Sequence, residues 1–230
     1  IFKYIAGKIC LMIRSAIPNL VTLANLSCGV LGIWVLMRQP NGFDWPSHYA
    51  AYLLMLAAVF DFLDGALARM LRAHSAVGKE LDSLADAVTF GVLPGFMMYH
   101  WLEKLEVSPW WLPFLAFLIP LFSVYRLAKF NVDTRQTESF LGLPTPANAL
   151  FFASFLLIES HGESIVLPYI SYPAVVVGLI LVFCLLLVSE LPLLSLKFKS
   201  LAFRGNGSRY LLLIGSAVLI VLFSFTAIPF

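Results

Sequence analysis

The sequence predicts an all-α protein, a polytopic bundle of transmembrane helices, and three observations predict it. Hydrophobic residues fill 60% of the 230 positions and charged residues only 12%, with a mean hydropathy of +0.90; this leaves too little polar surface to coat a water-soluble domain. The charges are clumped, so that the apolar stretches between them approach or exceed the roughly 20 residues that cross a bilayer. The cations, finally, fall on alternate connections between those stretches, as they do in multi-pass membrane proteins.

The elements follow in order. Residues 1–16 carry Lys3, Lys8 and Arg14 among apolar side chains. They lack the uninterrupted apolar core of a signal peptide and read as an interfacial amphipathic helix. Seven apolar spans come next, at 17–38, 48–73, 78–101, 109–130, 144–161, 170–190 and 209–228. The fifth is the weakest, because Glu159, His161 and Glu163 cut it short. Turn-forming residues separate the spans: Gln39-Pro40-Asn41-Gly42, Ser108-Pro109, Leu143-Pro144-Thr145-Pro146 and Gly205-Asn206-Gly207. Thirteen of the 15 Lys and Arg residues then lie on one face, with only Arg38 and Lys104 on the other. The positive-inside rule makes the first face, and the N-terminus, cytoplasmic. Residues 17–190 form a six-span membrane core, and 191–230 a cytoplasmic loop with an additional span. Glu103, Glu106, Glu159 and Glu163 gather at the outer ends with Trp45, Trp101, Trp110 and Trp111, where an aromatic belt is expected.

Composition also excludes classes of function. A net charge of +2 without a basic run gives no footprint for nucleic acid. Cys10, Cys28 and Cys184 are odd in number and far apart, and read as small buried hydrophobes rather than a disulfide framework.

Four acids contradict the apolar pattern. The second and third spans contain Asp61, Asp64, Asp82 and Asp86, and an acid at the centre of a transmembrane helix costs about 2.5–3.5 kcal/mol even on the lenient insertion scale. Asp61 and Asp64 are spaced i, i+3 and Asp82 and Asp86 i, i+4, so each pair occupies one helix face. A short connection around His74-Ser75-Ala76 makes the two helices an antiparallel hairpin that brings these faces together. Asp64 precedes Arg72 by eight residues, about 12 Å of helix, which sets the cluster near the cytoplasmic surface in a water-filled cavity. Four carboxylates repel one another unless cations neutralise them, and an all-oxygen set favours Mg²⁺, Mn²⁺ or Ca²⁺. Balance by Arg69 and Lys79 alone, or the ion relay of a transporter, are the competing readings. Gly65, Ala68 and Gly78 share the acids' faces and leave room for a bulky group to approach the backbone. Gly91 and Gly95 read as helix packing.

Written out, Asp61-x2-Asp64-Gly65-x2-Ala68-Arg69-x8-Gly78-x3-Asp82-x3-Asp86 resembles the signature of the CDP-alcohol phosphatidyltransferases at all eight specified positions. The resemblance implies a six-helix core, here with at least one extra C-terminal span, usually as a homodimer, and a site for two divalent metals, Mg²⁺ or Mn²⁺. It implies that Asp61, Asp64 and Asp82 are metal ligands, with Asp86 also at the metal site and acting as base on the acceptor hydroxyl. Gly65, Ala68, Arg69 and Gly78 would hold the CDP moiety of a CDP-linked lipid, CDP-diacylglycerol. Arg69 suits that task because its planar fork binds phosphate oxygens in a bidentate way.

The flanks narrow the acceptor. Asp82-Ser83 through Pro94, Pro18-Asn19-x2-Thr22-x2-Asn25-Leu26, Arg126 through Asn131, and Gly142 through Ala147 resemble the branch of the family that uses L-serine. That points to a bacterial or archaeal-type inner membrane. Inositol, inositol phosphate and glycerol phosphate are the alternative acceptors. Asn19, Thr22 and Asn25 lie along one side of the first span and could read the cytosine edge or bond across helices. Arg126 and Lys129, spaced i, i+3, could clamp the serine carboxylate or a lipid phosphate, or serve as membrane anchors. His74 reads as solvent-facing.

Overall fold

The computed structural model describes residues 2–37, 45–73, 75–132, 140–162 and 165–193. The span expected at 209–228, with His74 and Arg135, lies outside them.

Apolar length dictates the frame. Helix α1 (Phe2–Leu36) runs unbroken from the segment expected at the interface into the first span. Pro18 lies inside it, and its carbonyl, one turn below Thr22, lies 3.1 Å from that residue's hydroxyl. Helix α2 (His48–Met70) ends at Leu71, and Arg72 takes a positive φ of 49° as the chain turns. Helix α3 (Ala76–Asp86) starts on an N-cap, with the Gly78 amide donating to Ser75 Oγ at 2.9 Å. It continues through a wide π-helical segment, Ala87–Val92, into α4 (Leu93–Lys104). A tight 3₁₀ segment, Leu112–Phe117, opens α5 (Leu118–Val132). Helices α6 (Thr145–His161), α7 (Leu167–Ile170) and α8 (Pro173–Val188) complete the described chain.

Among the described residues four stretches are long and apolar enough to cross a membrane: Ala16–Leu36, His48–Met70, Ala76–Lys104 and Leu112–Val132. The other two expected spans are shorter. Pro144 and the left-handed Gly162 bound α6 at 17 residues. The sixth, expected from residue 170, begins at Pro173, whose ring is preorganised for a first helical turn, and runs 16 residues.

The core lies toward the end of the bundle away from the four acids, where Phe90, Met97, Leu102, Phe152, Phe155 and Ile180 are fully buried. Phe151 and Phe183 stack with centroids 4.0 Å apart and tie α6 to α8. Trp101 corrects the aromatic-belt reading. It is buried, its ring edge-on to Phe155, and its indole N–H donates to the Ile170 carbonyl at 2.9 Å. An indole can leave the interface when a buried acceptor satisfies its single donor. Trp45, Trp110 and Trp111 are exposed, as expected.

At the opposite end, Phe140–Leu141 (β1) and Pro192–Leu193 (β2) form a two-residue antiparallel pair. Gly142 follows at φ 73°, and a Cβ there would stand 2.6 Å from the Ser189 carbonyl oxygen. Only glycine suits both the dihedral and the space. Gly142 and Leu143 donate to the Leu191 and Leu186 carbonyls, so the segment leading into α6 is held against the end of α8.

Candidate active site

The acids converge, though not by the hairpin alone. Helix α1 packs along both α2 and α3, which make little direct contact with each other. Helix α1 is therefore the element that joins the two acid-bearing helices. Asp61, Asp64 and Asp82 each place a carboxylate oxygen so that all three atoms lie within 4.8 Å of one another. Asp64 is buried at 5% exposure, while Asp61 and Asp82 are half-buried.

Helix α1 grips this cluster at two points. Thr22 Oγ1 donates to Asp64 Oδ2 at 2.6 Å, and Asn25 Nδ2 donates to Asp86 Oδ1 at 3.4 Å. Both residues were read as candidates for the cytosine edge or for bonds across helices; the structure places both on the acids. Asp86 stands one turn beyond Asp82, outside the group of three, at the junction where α3 widens into the π-helical segment. Such wide turns recur at functional sites.

Among the described residues no Lys or Arg forms an ion pair with the cluster. The ion pairs among those residues are Lys104–Glu159 at 2.6 Å and Lys129–Glu190 at 2.9 Å, neither of which includes one of these acids. Arg69 and Lys79 are exposed and pair with none of the four. An oxygen-only set of anions without a protein counter-charge is the donor chemistry of a hard divalent cation, so these residues fit the metal implied by the signature.

A cavity of about 600 Å³ opens beside the acids, between α1, α2 and the start of α3. Asp64 and Asp82 line it, together with Asn19, Thr22, Gly65, Ala68, Arg69 and Gly78. Every residue expected to hold the CDP moiety except Asn25 therefore faces one space. At Gly65 an added Cβ would meet nothing within 4 Å, so the missing side chain widens the cavity itself. At Gly78 it would come within 2.9 Å of Ser75 Oγ and 3.0 Å of Asn19 Oδ1, so that glycine serves the close approach of α3 to α1. Asp61, Asp86 and Asn25 lie off the cavity wall.

The two acceptor candidates part company. Arg126 is buried, with Nη1 at 3.5 Å from Thr145 Oγ1 and the guanidinium 5.5 Å from the Phe130 ring centroid. Lys129 instead faces outward to Glu190. Sequence reading also missed that two of the quoted flanks meet. Asn131 Nδ2 donates to Ser83 Oγ at 2.8 Å, joining the end of α5 to α3 between Asp82 and Asp86. Gly91 and Gly95 pack, as expected, against Ser123 and Pro120 of α5.

Fold and site together define a polytopic helical membrane protein with an acidic, metal-type centre beside a deep cavity. The pattern of one family, CDP-alcohol phosphatidyltransferase, matches residues 15–188. The chain belongs to that family and is an integral membrane protein. It is 38% identical over 134 residues to the CDP-diacylglycerol–serine O-phosphatidyltransferase of Bacillus subtilis, covering 56% of this chain and 69% of the relative. It is 37% identical over 152 residues to the protein of the same name from Mycobacterium leprae, covering 62% and 47%. The archaetidylserine synthase of Methanothermobacter thermautotrophicus is 34% identical over 156 residues, covering 64% and 60%. The chain thus spans between about half and two-thirds of the length of these relatives.

Proposed function

We propose that the protein transfers a phosphatidyl group from CDP-diacylglycerol to the hydroxyl of L-serine, giving phosphatidylserine and CMP. The observation that carries this reading is the three-carboxylate group of Asp61, Asp64 and Asp82, two of which, Asp64 and Asp82, line the same cavity as Gly65, Ala68 and Arg69. The names of the bacterial and archaeal relatives support serine as acceptor, since they share it although the lipid differs.

Asp61, Asp64 and Asp82, with Asp86 beside them, would hold two divalent ions, Mg²⁺ or Mn²⁺, which when bound neutralise the donor diphosphate and ease departure of CMP. Gly65 and Ala68 let that diphosphate approach α2, and Arg69 at the rim pairs with its oxygens. Asn19 and Gly78 bound the side of the cavity left for the nucleotide. Asp86, steadied by Asn25, takes the proton from the serine hydroxyl. The hydroxyl oxygen then forms its bond to the phosphorus that carries the diacylglycerol, and the bond from that phosphorus to the CMP oxygen breaks. Arg126 faces the serine carboxylate, whereas Lys129 is engaged by Glu190.

The segregated cations support a cytoplasmic site and N-terminus. The proposed organisation is an N-terminal helix (1–16), a catalytic core (17–190) and a C-terminal extension (191–230), acting as a homodimer. CMP release by the purified protein with CDP-diacylglycerol and Mn²⁺ or Mg²⁺ tests the function. Release with serine, and none with inositol, inositol phosphate or glycerol phosphate, is expected; release only with one of the latter would overturn the choice of acceptor.

A further inference from the structure

A second polar feature lies off the cavity. Among the described residues, five buried side-chain polar atoms have no hydrogen-bond partner: Asn25 Oδ1, Ser123 Oγ, Arg126 Nε, and both amide atoms of Asn148. Asn25, Ser123 and Asn148 are fully buried and Arg126 is 8% exposed. A buried polar group without a partner costs about 1–3 kcal/mol, so native structures hold few of them. Here all five belong to four residues of α1, α5 and α6, three helices that each pack on the π-helical segment after Asp86.

The contacts join them into one seam. Asn25 reaches Asp86 through its amide nitrogen, and its backbone carbonyl accepts from Thr89 Oγ1 at 3.3 Å. Arg126 touches Thr145, and Asn148 lies one turn further along α6 on the same face. Ser123 lies one turn before Arg126 and packs on Gly91 of the π-helical segment. None of the four lines the cavity assigned to the nucleotide.

We infer that Asn25, Ser123, Arg126 and Asn148 form the acceptor pocket, that its ligand is a zwitterionic amino acid, and that Asn148 and Ser123 set its specificity. This rests on the transferase reading and deepens it. The unpaired atoms include donors, on Arg126 and Asn148, and acceptors, on Asn25 and Asn148, around a single cation. A carboxylate takes the donors and an ammonium group the acceptors, and the net charge of the ligand is zero. A sugar phosphate would bring two negative charges to that single buried guanidinium. A neutral polyol would leave the buried guanidinium without an anion. Asn25 bridges the pocket to the base, which places the ligand's hydroxyl at Asp86.

Steady-state kinetics of the full chain in detergent or nanodiscs, reading CMP release, test this with Asn148→Leu and Ser123→Ala. The KM for serine should rise about 10- to 100-fold in Asn148→Leu, the factor lost with hydrogen bonds to a charged ligand, and severalfold in Ser123→Ala. The KM for CDP-diacylglycerol should stay within twofold in both. The melting temperature without substrate should hold or rise in Asn148→Leu, because an apolar side chain removes two unpaired atoms. A serine KM within twofold of wild type in both variants, or equal increases for both substrates, overturns the pocket. If Asn148→Leu does not fold, Asn148→Ser carries the same thresholds. A wild-type protein that releases CMP with another alcohol and not with serine removes the acceptor itself, which is distinct from a serine-using wild type whose variants keep its KM.

Discussion

Removing the Thr22 hydroxyl should weaken metal binding without touching a single ligand atom. In Thr22→Val the side chain keeps its shape and its burial, and α1 loses the 2.6 Å bond to Asp64 Oδ2 together with the 3.1 Å contact of the same hydroxyl with the Pro18 carbonyl of its own helix. Asp64 is 5% exposed, so little of that carboxylate is left for other donors. A hydrogen bond to a charged group contributes about 1.5–3 kcal/mol, and groups that orient a metal ligand typically change metal affinity about 10- to 100-fold, or roughly 1.4–2.7 kcal/mol. The two ranges agree. Titrating Mn²⁺ into the enzyme at saturating donor and acceptor, with CMP release as readout, should show the half-saturating concentration raised by at least tenfold. Thr22→Ser, which restores the hydroxyl, should recover most of it. Direct counting of free Mn²⁺ by its electron paramagnetic resonance signal should show the same shift without turnover. A half-saturation within twofold of wild type in Thr22→Val would refute the claim that α1 orients Asp64.

Three further outcomes follow from the same geometry. Asp64→Asn or Asp82→Asn should lower CMP release by at least about 100-fold and abolish tight Mn²⁺ binding, whereas Asp86→Asn should lose turnover while binding Mn²⁺ and donor; full turnover in Asp86→Asn would remove it as the base. Gly65→Ala, whose Cβ meets nothing within 4 Å, should leave the KM for CDP-diacylglycerol within about threefold and gain up to about 1 kcal/mol of helix stability, while Gly65→Leu should raise that KM by tenfold or more. Lys129→Ala breaks only an exposed pair, worth about 0–1 kcal/mol, and should leave the serine KM within twofold; Arg126→Lys, which loses the planar fork beside Thr145, should raise it at least tenfold.

The acid cluster was the most legible part of the molecule, because charge in an apolar span is costly enough to be seen in a single sequence. The i, i+3 and i, i+4 spacings of Asp61, Asp64, Asp82 and Asp86 fixed their faces, and the small residues beside them marked the cavity wall. Less legible was what holds the faces together. Spacing alone favoured a direct hairpin of α2 and α3, whereas α1 is the partner of both, a tertiary arrangement to which no local rule points. Thr22 and Asn25 stood out as polar residues on one side of a span, but whether they met a base or a carboxylate depended on the angle between helices. Trp101 was misplaced for a related reason: an indole near a helix end satisfies the belt pattern, and only the nearby Ile170 carbonyl reveals that it is buried. Ser123 and Asn148 left a fainter signal. Each is a lone polar residue in an apolar run, and lone polar residues are common between membrane helices. Their meaning comes from the absence of partners, which is a property of the packed bundle.

The double grip of α1 on the acids makes the axial position of one helix a control on the site. Thr22 and Asn25 are three residues apart and hold carboxylates on different helices. A slide of α1 by a single residue, about 1.5 Å with a rotation of about 100°, would take the hydroxyl and the amide off both partners together. The Asp64 and Asp86 ends of the site therefore cannot lose their supports one at a time through such a motion. The register of the first span acts as a ruler for the distance between the carboxylates that would bind metal and the one that would accept the proton.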